Sequence, residues 1–193
     1  STSRTDSVKI DADKGTVSVS DELKTAVTNE DGSKVEDKDK HTVNVNVNDP
    51  SLAVTRDTED KITDADGNSV TDRRGASGSI SEDGLSAGLS GGQTTTDADG
   101  NSVSHDHKVG LNIDSDKTTI TGSSTGEKKT TDGEGGHKKV GGGANVGLTI
   151  DDAEANLKAS TSLNTEDKKV TGDTSETIGT KHSVGIDTGK KDV

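Results

Sequence analysis

Thr63-Asp64-Ala65-Asp66-Gly67-Asn68-Ser69-Val70 returns unchanged as Thr96-Asp97-Ala98-Asp99-Gly100-Asn101-Ser102-Val103. Looser relatives stand at Thr28-Asn29-Glu30-Asp31-Gly32-Ser33 and at Thr131-Asp132-Gly133-Glu134-Gly135-Gly136, while Thr165-Glu166-Asp167 keeps the spacing without the glycine. The anchoring threonines Thr28, Thr63, Thr96, Thr131 and Thr165 stand 35, 33, 35 and 34 residues apart, which is a repeat period. Between them lies a second set of turn-forming breaks: Asp11-Ala12-Asp13-Lys14-Gly15, Asn48-Asp49-Pro50, Ser81-Glu82-Asp83-Gly84, Asp114-Ser115-Asp116 and Asp151-Asp152.

The runs between breaks alternate with period two. Val43, Val45 and Val47 fall on one face and Asn44, Asn46 and Asn48 on the other; Ala144, Val146, Leu148 and Ile150 are answered by Ala153, Ala155, Leu157 and Ala159. Short acidic and Asp-Gly breaks suit hairpins, whose turns need Gly, Asn or Asp at positive φ. Residues 1–193 therefore read as a single all-β repeat domain, an antiparallel meander of eleven or twelve strands closing into a barrel or a packed sheet. The alternative is a flattened β-solenoid with about 34 residues per coil. Two glycine-rich stretches, 75–80 and 140–144, read as bends, bulges or places where another backbone passes nearby.

Composition narrows what such a sheet can do. Only 23% of the 193 residues are hydrophobic, and Phe, Tyr, Trp, Met and Cys are all absent, so the chain has neither an aromatic core nor thiol chemistry. The sparse Val, Leu and Ala face must be covered by barrel closure, by a second sheet or by another copy. A net charge of -13 repels phosphate backbones, so nucleic acid is not expected as a partner. Helical membrane spanning is ruled out by the lack of any run of 18 apolar residues. A β-barrel pore is disfavoured by short apolar stripes and missing interfacial aromatics. The start at Ser1 reads as a processed chain or one cut from a longer protein.

The two identical turns supply the candidate metal site. Asp64, Asp66 and Asn68, with Asp97, Asp99 and Asn101, set oxygen atoms on alternate residues, a pattern that suits a hard cation such as calcium. The glycine falls at the fourth position rather than the sixth of an EF-hand loop, and Gly75 or Lys108 stands where that loop has its bidentate Glu. The competing reading is purely structural, with Asp and Asn bonding their own turn. His105 and His107 share a strand face but lack a third zinc ligand, and His41, His137 and His182 are placed near the same strand end. Arg73-Arg74 reads as a turn flank or an interaction point.

No Gly-x-Ser-x-Gly elbow is expected in a strand-to-helix setting, no His-Glu-x-x-His occurs, and no aromatic ring is present to grip a sugar, so an enzyme is not expected. The expected function is a non-catalytic extracellular or cell-surface scaffold, stalk or assembly element whose partners are other copies or neighbouring domains of a longer chain. The alternatives are an adhesin-like module, with calcium-organised loops binding a surface glycan or protein, and a β-barrel pore-forming segment.

Overall fold

A computed structural model describes residues 1–132, 134–151, 154–171 and 174–189. Gly133, Asp152 and Ala153 lie outside these residues. Eleven strands form one antiparallel sheet in strict chain order: β1 (Thr2–Asp11), β2 (Thr16–Thr28), β3 (Lys34–Asn46), β4 (Ser51–Thr63), β5 (Ser69–Ser81), β6 (Gly84–Thr96), β7 (Ser102–Asp114), β8 (Lys117–Thr131), β9 (His137–Asp151), β10 (Glu154–Thr171) and β11 (Thr174–Asp187). The meander is thus the architecture, and the antiparallel pairing of neighbours excludes the solenoid winding. The sheet is open: among the described residues β1 pairs only with β2 and β11 only with β10.

Registration follows from the alternating pattern, because a one-residue slip would carry each apolar set to the other face. One continuous row links Val19, Val43, Val54, Gly78, Ala87 and Leu111 across six strands and continues through Ile120, Leu148 and Leu157. Two residues nearer the turns that follow odd-numbered strands, Val17, Val45, Leu52, Ile80, Leu85 and Ile113 form a second row. The reverse face is polar, with hydroxyl pairs such as Ser79–Ser86 at 2.6 Å and Ser7–Ser20 at 2.7 Å.

Among the described residues nothing covers either face. Contacts between elements join only neighbouring strands, and among the described residues no hydrophobic or polar side chain is buried. Thirteen-residue strands at about 3.4 Å per residue and ten strand intervals at about 4.8 Å give a slab of roughly 44 by 48 Å, one sheet thick.

Several sequence expectations shift. β3 ends at Asn46, and Val47 opens the turn, where its N–H donates to the Gly15 carbonyl of the adjacent turn at 2.9 Å. The glycine-rich stretches make neither bend nor bulge: β5 and β9 pass through them in unbroken register, and the glycines of 140–144 mark close backbone approach, since a Cβ would lie 2.6 Å from the Ser162 carbonyl at Gly142 and 3.0 Å from the Ser124 carbonyl at Gly143. Thr28, Thr63, Thr96 and Thr131 each close an even-numbered strand, but Thr165 sits inside β10, which runs on to Thr171. Without a glycine to take positive φ, Thr165-Glu166-Asp167 stays extended.

Candidate functional site

The repeated acidic turns cluster at one end of the sheet, where β2, β4, β6 and β8 each hand over to the next strand. In the turn after β4, Gly67 N–H donates to the Asp64 carbonyl at 3.2 Å and Asp64 N–H to the Asn68 carbonyl at 2.9 Å, with Gly67 at φ 93°. This is a three-residue hairpin loop, a β-turn followed by a left-handed residue. The turn after β6 repeats it, with bonds of 3.0 and 2.9 Å and Gly100 at φ 83°.

Asp64 organises its turn through both carboxylate oxygens. Oδ1 accepts from Asp66 N–H at 3.0 Å and Asn68 N–H at 2.8 Å, and Oδ2 accepts from the Asn68 amide at 2.8 Å. Asp97 accepts from Asn101 N–H and from the Asn101 amide, both at 2.8 Å. The Asn68 and Asn101 side-chain bonds, followed by backbone N–H donors, hold the Asp64 and Asp97 carboxyls below the ordinary aspartate range.

The asparagines then join one turn to the next. Asn68 Oδ1 accepts from Ala98 N–H at 3.0 Å, and Asn101 Oδ1 from Thr131 N–H at 2.7 Å, while the Thr131 hydroxyl donates to the Asp99 carbonyl at 2.7 Å. Sequence reasoning placed all six residues, Asp64, Asp66, Asn68, Asp97, Asp99 and Asn101, in turns; it missed this cross-turn ladder, whose only signal was the recurrence of Asn after Gly.

These bonds bear directly on cation binding. A cation held by Asp64 and Asn68 would have to draw oxygens away from three donors within the turn and one from its neighbour. Among the described residues no group of three or more His, Cys, Asp or Glu side chains is arranged to hold a metal ion.

The remaining candidates are dispersed. His105 and His107 do fall on the face shared by Val103 and Val109, by the alternation of β7. The other histidines do not gather at one end: His41 and His182 lie within β3 and β11, whereas His137 opens β9 on the opposite face. His137 Nε2 lies 2.7 Å from Glu166 Oε1, and this bond, with Lys139 3.5 Å away, lowers the Glu166 pKa. Arg73-Arg74 is mid-strand rather than a turn flank, its two side chains on opposite faces; Arg73 bonds Thr94 Oγ1 at 3.0 Å and Asp106 Oδ1 at 3.2 Å. Gly84-Leu85-Ser86-Ala87-Gly88 has the spelling of a nucleophile elbow, but it lies inside β6, followed by strand rather than helix.

No protein-family model, curated protein or solved structure matches the chain. Among the described residues no helix is long and apolar enough to cross a membrane.

Proposed function

We propose that this chain is a non-catalytic structural repeat domain of an extracellular or cell-surface protein, serving as a scaffold, stalk or assembly element. The observation that carries the reading is the uniform eleven-strand meander, in which every element touches only its sheet neighbours. Such an arrangement is nearly one-dimensional: a hairpin can be added without redesigning the rest, so length is the property the fold controls. Interspersed charges on an acidic surface keep a thin sheet dispersed in water. A pore is less well supported, because an open sheet leaves the ladder groups of β1 and β11 unpaired, which hydrocarbon does not tolerate.

Small-angle scattering on the purified chain tests the reading. The expected particle is a slab of roughly 44 by 48 Å, one layer thick for a monomer and two for a face-to-face pair. A compact particle with three equal axes would overturn it. For location, an antibody raised against the chain should stain intact source cells without permeabilisation; staining that requires permeabilisation would remove the surface assignment.

A further inference from the structure

We infer that the apolar rows beside the odd-strand turns are a face-to-face docking surface for a second copy of this chain, an inference that rests on the structural reading above. The two rows nearest those turns contain no charged residue from β1 to β10. Beyond them, Leu89, Val109 and Val146 extend the surface on the later strands, where Leu89 is 66% and Val109 58% exposed.

Three observations select another copy as the occupant. The first is area. Ten strand intervals at about 4.8 Å and up to three rows about 6.8 Å apart give roughly 800–900 Å² of apolar surface. That exceeds the few hundred Å² usual on a monomer and matches the ~800 Å² that each partner contributes to a standard stable interface.

The second is shape. Ala76, Gly78 and Ala87 leave a hollow flanked by Val54 and Leu111, and Leu89 stands at its border. A two-fold axis running across the strands along the row of Ala87 sets Ile80, Leu85 and Ile113 of each copy over Ala76, Leu89 and Val109 of the other, and leaves Asp21 and Arg56, the latter also lining the hollow, in the outer row. Knob and hollow come from the same surface, as a two-fold interface requires.

The third is charge. The acids that would border such an interface on the early strands are already paired across the sheet, Asp39 with Arg56 at 2.9 Å and Asp21 with Arg4 at 3.1 Å. The copies therefore meet with a neutral centre and a paired polar rim. A lipid surface fits less well: the apolar rows cover about 20 Å along the strands, short of the ~25 Å band of a membrane barrel. Arg4, Asp39 and Arg74 stand next to them on the same face.

Sedimentation equilibrium on the intact chain tests this. The wild-type chain should run as a dimer of about 39 kDa, twice 19.7 kDa, at micromolar concentration. Leu89→Lys, and independently Val109→Lys, should return it to 19.7 kDa, while Asn112→Lys on the exposed reverse face should leave the dimer intact. Circular dichroism on each variant confirms that the sheet persists, and the wild-type mass decides even where a variant fails to fold. A chain that stays monomeric at near-millimolar concentration overturns the inference, as does a dimer that survives both folded lysine variants. A monomer that still scatters as a thin slab would leave the scaffold reading standing; a compact monomer would remove both.

Discussion

Asp64 and Asp97 do at the residue scale what a much larger core does in other folds: each fixes a chain reversal through one carboxylate shared among several donors. Because both pKa values are lowered in the folded state, the stability they contribute is complete above the unfolded aspartate value of about 3.9 and is lost as the pH falls through the lowered folded value. Asp31 and Asp114, bonded to Ser33 and to Lys117 and Asp116 of their own turns, act in the same direction. The melting temperature should therefore be flat near neutrality and fall below about pH 4, with a lower plateau and a shallower acid limb for the Asp64→Asn, Asp97→Asn double variant. Calcium gives a separate check. Since the Asp64 and Asn68 oxygens already have partners, millimolar calcium should leave the melting temperature where EDTA leaves it. A calcium-induced rise that Asp66→Ala and Asp99→Ala abolish would instead place a cation in the turns. The turns themselves were legible in the sequence, because Gly with flanking Asp and Asn has a local conformational reason to be there. The bond from Asn68 to Ala98 was not, because it depends on two segments 30 residues apart meeting at one height on the sheet.

At the scale of the element, strand length absorbs the irregularities of the repeat. Both 35-residue intervals carry two residues more than the 33-residue interval, but in different places: residues 47–50 make a four-residue turn where 82–83 make a two-residue one, and β8 is 15 residues long where β6 is 13. Two residues preserve the alternation of faces; one would invert it. The growth of β9 to 15 residues and β10 to 18 moves the last reversal beyond Thr165, and the constant threonine spacing concealed it. Glycine content carries more than one reading, since Gly suits bends, close backbone approach and also a flat strand on which a neighbour's side chain must lie down. Gly92 is of the last kind. A Cβ there would sit 2.1 Å from Asp106 Oδ1 and 2.9 Å from the His105 carbonyl, in the path by which Asp106 reaches Arg73. At Gly91 the nearest atom to an added Cβ is the Arg73 carbonyl, 3.6 Å away, an ordinary contact. Gly91→Ala should thus be neutral or stabilising by up to about 0.5–1 kcal/mol, from the lower chain entropy of Ala. Gly92→Ala should lower stability despite the same entropy gain. Urea denaturation of the two variants side by side reads the difference, and equal midpoints would show that the Arg73–Asp106 pair contributes nothing.

For the molecule as a whole, the decisive property is that stability is assembled from hairpin-to-hairpin contacts and not from a centre. The sequence carried the meander and its strand count, because alternation and turn chemistry are local. It could not choose how the apolar face is covered, because a barrel, a second layer and a partner copy all ask for the same pattern of Val, Leu and Ala. The identity of residues 63–70 with 96–103 makes the modular character testable. Deleting residues 64–96 joins Thr63 directly to Asp97 and regenerates the same turn, now between β4 and β7. Thr63 then meets Ser102 as it met Ser69, and twelve residues later Ser51 meets Asp114, so that Val54 faces Leu111 and Leu52 faces Ile113 in the existing apolar rows. No face is inverted and no turn is new. A nine-stranded sheet should form, shorter by two strand intervals or roughly 10 Å, with an unchanged circular dichroism band shape and a melting temperature lowered only modestly. An equivalent deletion of 32 residues, sparing Thr96, shifts β7 by one position against β4 and sets its apolar residues on the polar face. If the 33-residue deletion unfolds as completely as the 32-residue one, the molecule is a single cooperative body and not a chain of interchangeable hairpins.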